Sequence, residues 1–282
     1  MKAGVTIFPT DYAMPLADLA VAAEARGLES LWVAEHSHVP ASRKSPFPGG
    51  GELPKMYFDT LDPFVALAAA ASVTSRIKLA TGICLVVQRD PIHTAKQVAS
   101  LDRVSGGRFL FGVGAGWNAE EMAAHGTHDF AGRFKLLRER VELMKALWTE
   151  KEASYQGELA RLEPSFMWPK PVQKPHPPIH VGGTFPGGAR RAVRWGDGWM
   201  PIGGLRDRLE ESVPAFRRMA AEAGRDPAAL EVSVYGAAPR EKVVARYATL
   251  SVDRVVFALP PAPRDGLLPI LDQCAELARK VG

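Results

Sequence analysis

The tetrapeptide Glu35-His36-Ser37-His38 places two imidazoles and a carboxylate side by side. It follows an apolar, strand-like run at 30–34 (SLWVA), and if that strand continued, His36 and His38 would project to the same side. An HxH pair at a strand end can ligate a divalent metal, with His180 as a third ligand. A metal hydrolase would need further ligands at later strand ends, yet the last such run, 255–259, ends in Pro260-Pro261 with no carboxylate. No metal is therefore expected. His36 is left as a structural residue or as an acid, base or cofactor contact, and the latter role suits a group that titrates near neutral pH.

Two glycine clusters also carry chemical information. Gly112-Val113-Gly114-Ala115-Gly116 only partly matches a dinucleotide-binding fingerprint, because Trp117-Asn118 follows and no acidic residue ends the next strand. What it implies is backbone lying close to something, or a tight turn after a strand. Gly182-Gly183-Thr184 and Gly187-Gly188 flank a strand-to-helix turn, where bare amides and a helix N-terminus suit a phosphate.

The elements that must position these residues alternate along the whole chain. Strand-like runs fall at 3–8, 30–34, 77–85, 108–113, 179–181, 198–201, 230–235 and 254–259. Between and after them, helical periodicity appears at 15–26, 64–72, from 91 through 101, and at 133–149, 188–195, 209–222, 240–250 and 267–280. Asp62-Pro63 and Asp90-Pro91 read as helix starts, and Gly27 as a helix stop. Eight strand–helix units predict a single (β/α)8 TIM barrel spanning 1–282, with an open doubly wound sheet as the alternative. Two long insertions, 35–57 after strand 2 and 151–178 after strand 4, are rich in Gly and Pro and follow strand ends, where a barrel keeps its site.

Composition excludes several classes. The chain has 282 residues, 46% hydrophobic and 23% charged, with 35 Lys and Arg against 31 Asp and Glu. That is neither a disordered nor a membrane-spanning composition, and basic residues interspersed with acidic ones, as at Arg138-Glu139-Arg140, give no footprint for a nucleic acid. Cys84 and Cys274 stand alone, so no disulfide framework or zinc site is implied, and with no signal-peptide pattern at the start a cytoplasmic location is expected.

Four segments, in order, resemble the luciferase-like monooxygenase superfamily. They are Trp32-Val33-x-Glu35-His36; Pro91-x-His93-x-Ala95-Lys96-Gln97-x-Ala99-Ser100-Leu101-Asp102-x-x-Ser105-x-Gly107-Arg108, continuing through Gly112-Val113-Gly114-x-Gly116-Trp117-x-x-Glu120-Glu121; Trp168-Pro169-Lys170-Pro171-Val172-Gln173-x-Pro175-x-Pro177-Pro178-Ile179; and Gly196-Asp197-Gly198-Trp199. Within the superfamily the chain is similar to the compact branch that uses the deazaflavin coenzyme F420, rather than to the longer FMN-dependent monooxygenases.

The resemblance implies an oxidoreductase that moves a hydride between F420 and a small carbonyl, alcohol or enone substrate. An FMN-dependent monooxygenase and a non-catalytic barrel that binds a flavin-like ligand are the alternatives. It implies that the coenzyme ring lies at the C-terminal mouth against a non-prolyl cis peptide at Gly82-Ile83, with Thr81, Cys84 and Leu85 beside it. By the same match Glu35 is an acidic cofactor contact that shares the catalytic position with His36, the proton donor or base. Gly114, Ala115, Gly116, Trp117 and Glu120 line the ring or ribityl side, and Gly182, Gly183, Thr184, Gly187 and Gly188 take the phosphate. Some F420 dehydrogenases carry a glutamate where this chain has Trp117, which disfavours a sugar-phosphate substrate and suggests an apolar pocket, with Phe58 and the stretch after His38 as its lid. Members commonly pair, so a homodimer is expected.

Overall fold

Aspartate followed by proline starts two helices here for a common reason: the carboxylate caps free amides while proline has no amide to cap. Asp62 accepts from the amides of Phe64 and Val65, and Asp90 from that of His93. The computed structural model describes residues 1–203 and 208–280. Its elements are β1 (Lys2–Ile7), α1 (Leu16–Ala25), β2 (Ser30–Val33), α2 (Pro63–Val73), β3 (Lys78–Thr81), β4 (Cys84–Leu85), α3 (Pro91–Val104), β5 (Phe109–Gly114), α4 (Ala119–Ala124), α5 (Arg133–Thr149), β6 (Ala153–Gln156), β7 (Arg161–Ser165), β8 (Ile179–Gly182), α6 (Gly187–Trp195), β9 (Gly198–Met200), α7 (Leu209–Glu222), β10 (Glu231–Ala237), α8 (Glu241–Thr249), β11 (Arg254–Ala258) and α9 (Arg264–Arg279).

Parallel pairing runs from β3 through β2, β1, β11, β10, β9 and β8 to β5 and β4. A further pairing of β3 with β5, Leu79 opposite Phe109, closes the ring. With β4 continuing β3, this is a closed parallel barrel of eight strands with helices between them, the (β/α)8 fold expected from the alternation. Gly112 is required where β5 meets β3, since a Cβ there would lie 1.9 Å from the Thr81 carbonyl oxygen.

The barrel is filled. Trp32, Ala80, Leu110, Met200 and Val256 pack inside it with Ile83 and Tyr235 against them, while a larger apolar cluster fills the space between strands and helices. At the N-terminal end the fully buried Arg254 guanidinium pairs with Glu29 and Glu231 and donates to Ser233, and Lys2 also pairs with Glu231. The C-terminal mouth is left for a site, as in other barrels of this kind.

The local reading differs from the structure in three places. The run 77–85 is not one strand: it breaks at a cis Gly82-Ile83 peptide, the position marked in advance, and resumes as β4. The short helix α4, capped by Asn118, was not anticipated. The 151–178 insertion contains the antiparallel hairpin β6–β7, whose turn is held because Glu139 on α5 accepts from the amides of Leu159 and Ala160. No helix among the described residues is long and apolar enough to cross a membrane.

Candidate functional site

β2 ends at Val33, so the chain after it turns, and His36 and His38 separate rather than lining one strand face. The side chain of His36 is nearly buried, and its Nδ1–H donates to Glu121 Oε2 at 2.8 Å. Glu121 Oε1 accepts from the Ser37 amide at 3.1 Å, which ties α4 to the segment carrying the histidine. Burial raises the Glu121 carboxyl, but the hydrogen bond and charge of His36 and the Ser37 amide outweigh this and hold it below the usual carboxylate range. With Nδ1 engaged, Nε2 is the nitrogen available for proton exchange.

His36 opens onto a cavity of about 370 Å³ at the C-terminal mouth. Ile83, on the carboxyl side of the cis peptide, forms its floor. A Cβ on Gly114 would lie 2.6 Å from Ile83 Cδ1, and one on Gly182 would lie 3.1 Å from its Cγ2. Tyr235 stands behind the bend, its hydroxyl 2.6 Å from Thr6 Oγ1. Ala115, Gly116, Trp117, Gly183 and Thr184 continue the wall, and Phe8, Pro48 and Tyr57 close it on the side of the long loop.

Glu35 lines the cavity but is held: Oε2 accepts from the Leu85 amide at 2.6 Å, and Arg89 pairs with it while also reaching Asp62. Burial pushes its carboxyl above the ordinary range against the pull of Arg89. Its geometry is that of an anchor for the backbone just after the bend. Four other expected contacts lie elsewhere. Thr81 is buried and donates to the Gly112 carbonyl, and Cys84 is buried outside the cavity lining. Glu120 turns away to accept from the Ser45 amide and the Ser42 and Ser45 hydroxyls, because the start of α4 faces the long loop. Tyr57, not the half-exposed Phe58, faces the cavity.

The expected amide cradle is smaller than the glycine spacing suggests. The Gly183 amide donates to Met200 O at 3.4 Å and the Gly188 amide to Thr184 O at 2.7 Å, so both serve the fold. Gly187 and Gly188 lie behind the lining, where a Cβ on Gly188 would meet the Gly183 carbonyl at 2.3 Å. Arg191 supplies the cation at this end. Its guanidinium stacks on Phe134 at 3.8 Å, its buried Nε has no hydrogen-bond partner, and burial together with the charge of Arg133 lowers its pKa.

Sequence reading missed Glu121 and Arg191 as site residues. Glu121 was the last residue of a quoted motif, and Arg191 sits one turn into the helix whose glycines drew attention. The metal arrangement does not form: His38 Nδ1 meets Ser37 Oγ at 2.9 Å, His180 is buried near Ser233 and Glu231, and no three such ligands converge among the described residues.

A family model described as luciferase-like monooxygenase matches residues 6–252. The chain belongs to the luciferase-like monooxygenase family. It is thus an oxidoreductase by family. An uncharacterized protein of Mycobacterium tuberculosis is 39% identical over 282 residues, 98% of each chain. An F420-dependent glucose-6-phosphate dehydrogenase of Kineococcus radiotolerans is 32% identical over 216 residues, 74% of this chain and 59% of that one. Among solved structures of the fold, an F420-dependent secondary alcohol dehydrogenase in complex with an F420-acetone adduct superposes with a TM-score of 0.76 at 20% identity, each chain covered completely. The monooxygenase RslO1 of Streptomyces bottropensis also gives 0.76, at 22% identity over 99% of this chain and 97% of that one. The luciferase-like fold is therefore shared by enzymes of both kinds, and the fold alone does not choose the coenzyme.

Proposed function

We propose that this luciferase-like protein transfers a hydride between coenzyme F420 and a small organic substrate, with His36 exchanging the accompanying proton. The observation that carries this reading is the His36–Glu121 pair at the rim of a glycine-lined cavity. A hydride moving to or from a carbonyl carbon needs a proton partner, and an imidazole oriented by a carboxylate is suited to that role.

The residues present fit such a coenzyme. Gly114 and Gly182 keep side chains off the Ile83 floor, which leaves a surface for a planar ring. The orphaned Arg191 Nε, beside Gly183 and Thr184, suits the phosphate. When bound, F420 supplies a two-electron hydride carrier. Glu35 and Arg89 fix the backbone just after the Gly82-Ile83 bend, and Glu121 fixes the imidazole nitrogen of His36 that does not exchange. The F420-dependent relative that aligns over three quarters of this chain supports F420 over FMN. On family grounds we also propose a cytoplasmic homodimer.

The test is titration of the purified protein with F420 and with FMN, followed by fluorescence and thermal shift. Saturable F420 binding is expected. Saturable FMN binding with no response to F420 would overturn the reading in favour of a flavin monooxygenase, and an unchanged function in His36→Ala would favour a non-catalytic barrel.

A further inference from the structure

The two ends of the cavity differ in chemistry. At the rim, four rings follow one another around a circuit: His36 to Tyr57 at 5.2 Å, Tyr57 to Phe47 at 5.3 Å, Phe47 to Trp117 at 5.9 Å and Trp117 back to His36 at 5.8 Å between centroids. Phe8 packs against Tyr57 at 4.5 Å between centroids. His36, Tyr57, Trp117 and Phe8 line the cavity, while Phe47 backs Tyr57 and Trp117 from the loop. Of the other charged side chains among the described lining residues, Glu35 pairs with Arg89 and accepts from the Leu85 amide, and Arg191 stacks on Phe134 beside Gly183.

We infer that the substrate of this site is a planar, uncharged carbonyl compound, an aryl ketone or cyclic enone, or the alcohol it interconverts with. It would lie against Tyr57 and Trp117 with its oxygen at His36 Nε2. The inference rests on the hydride-transfer reading and narrows it. Among the described residues of the lining, none at this rim of aromatic faces is a lysine or arginine that could receive the charge of a sugar phosphate, and an unpaired buried anion is strongly disfavoured. A flat conjugated ring instead gains offset or edge contacts with the same walls. In the reducing direction the carbonyl carbon, or the β-carbon of an enone, accepts a hydride from the reduced deazaflavin. For a ketone the C=O π bond breaks and His36, protonated on both nitrogens, gives its Nε2 proton to the oxygen to form the alcohol. For an enone the C=C pair shifts to join the α-carbon to the carbonyl carbon, the same proton on oxygen gives the enol, and the enol tautomerises to the saturated ketone. The carbonyl compound is reduced, the coenzyme is oxidised, and His36 recovers a proton from water.

The probes are acetophenone, cyclohex-2-en-1-one and glucose 6-phosphate. Each is titrated into the protein with and without saturating F420, and read by intrinsic tryptophan fluorescence and ligand-observed saturation-transfer NMR. The expected result is saturable binding of both ketones alongside F420 and none of the sugar phosphate. In Trp117→Leu, and separately in Phe47→Ala, which leaves the lining intact, ketone affinity falls about tenfold, the loss of one good aromatic contact. In both variants KM for cyclohex-2-en-1-one rises by more than kcat falls. Retained binding of glucose 6-phosphate, or ketones that displace F420 instead of joining it, overturns the substrate class. Failure of F420 itself to bind, seen in the coenzyme's own fluorescence, overturns the hydride-transfer reading instead, so the two failures are distinguishable.

Discussion

Replacing Glu121 with glutamine keeps the side chain's size and removes its charge, which isolates what the carboxylate does for His36. Both carboxylate oxygens now accept, Oε2 from His36 Nδ1 at 2.8 Å and Oε1 from the Ser37 amide at 3.1 Å, in a side chain with no solvent exposure. An amide has only one acceptor. If its oxygen stays with His36, its NH2 faces the Ser37 N–H, two donors with nothing between them. If it turns round, the NH2 faces Nδ1, which must become an acceptor, and the imidazole proton moves to Nε2. In either arrangement the charge-assisted bond to His36 is lost, replaced at best by a neutral one, a cost of about 1.5–3 kcal/mol. If that bond is needed in the proton-transfer step, the loss is roughly 10- to 150-fold in kcat. The assay is steady-state reduction of cyclohex-2-en-1-one at saturating reduced F420, paired with ¹⁵N NMR of the His36 ring nitrogens, which reports the tautomer without any substrate. Wild type should show neutral His36 protonated at Nδ1, and E121Q a mixed or reversed tautomer with slower turnover. An E121Q protein with the wild-type tautomer and the wild-type kcat would refute the idea that this carboxylate orients the histidine.

Other perturbations reach other parts of the molecule. Arg191→Met should weaken F420 binding by about 10- to 100-fold and flatten its salt dependence, the loss of one charged contact to phosphate, while 5-deazariboflavin, which lacks the phosphate, keeps its affinity. Equal losses for both ligands in equilibrium titrations would remove Arg191 from the phosphate site. Gly114→Ala puts a methyl 2.6 Å from Ile83 Cδ1. It should push Ile83 into the cavity and lower stability by about 1–3 kcal/mol, and F420 binding should fall with it; unaltered F420 affinity would show that the floor is not the ring's seat. Burial first, then the Arg254 charge, pushes His180 down to about 4 from an ordinary 6.5. The unfolded chain therefore takes up this proton first as pH falls, and stability that is full above about pH 6.5 is lost progressively toward pH 4, by about 3 kcal/mol at most. Glu29 and Glu231, held at about 2 by Arg254 against the effect of their own burial, add a further loss below pH 4.5. Calorimetric melting between pH 7 and 5 should show the first decline, and His180→Leu should flatten it; an unchanged slope in that variant would assign the decline to other groups.

Much of the quoted motif proves to be scaffold rather than chemistry. Asp102 accepts from the Val172 and Gln173 amides and the Gln173 side chain, and so fastens the proline-rich segment to α3. Arg108 donates to the carbonyls of Ala71, Thr74, Ile77 and Ser105. Residues that stand out in a sequence because of their type and spacing need not face a substrate. Glu120 and Glu121 make the point most closely: adjacent and chemically alike, one clamps the long loop through Ser45 and the other holds His36.

The order of strands and helices and the helix starts at Asp62 and Asp90 were legible from the chain alone, and the bend at Gly82-Ile83 through the resemblance of the chain to its family. Apolar periodicity and capping are local properties, whereas the bend was implied by the family resemblance and not by any local signal. The partner of His36 was not legible, because Glu121 lies 85 positions away on a six-residue helix that periodicity does not reveal. Arg191 and Tyr57 were hidden for the same reason: each reaches the cavity only when α6 and the long loop dock over the barrel mouth. Glycines announced close backbone approach, but which amides remained free depended on strand register, and the pairing of Gly182 with Met200 engages the Gly183 amide that the spacing had offered to a phosphate. The sequence determined a barrel and the mouth where its chemistry lies. Closure of that barrel, which sets side chains from distant strands against one another, decided which of them could act together.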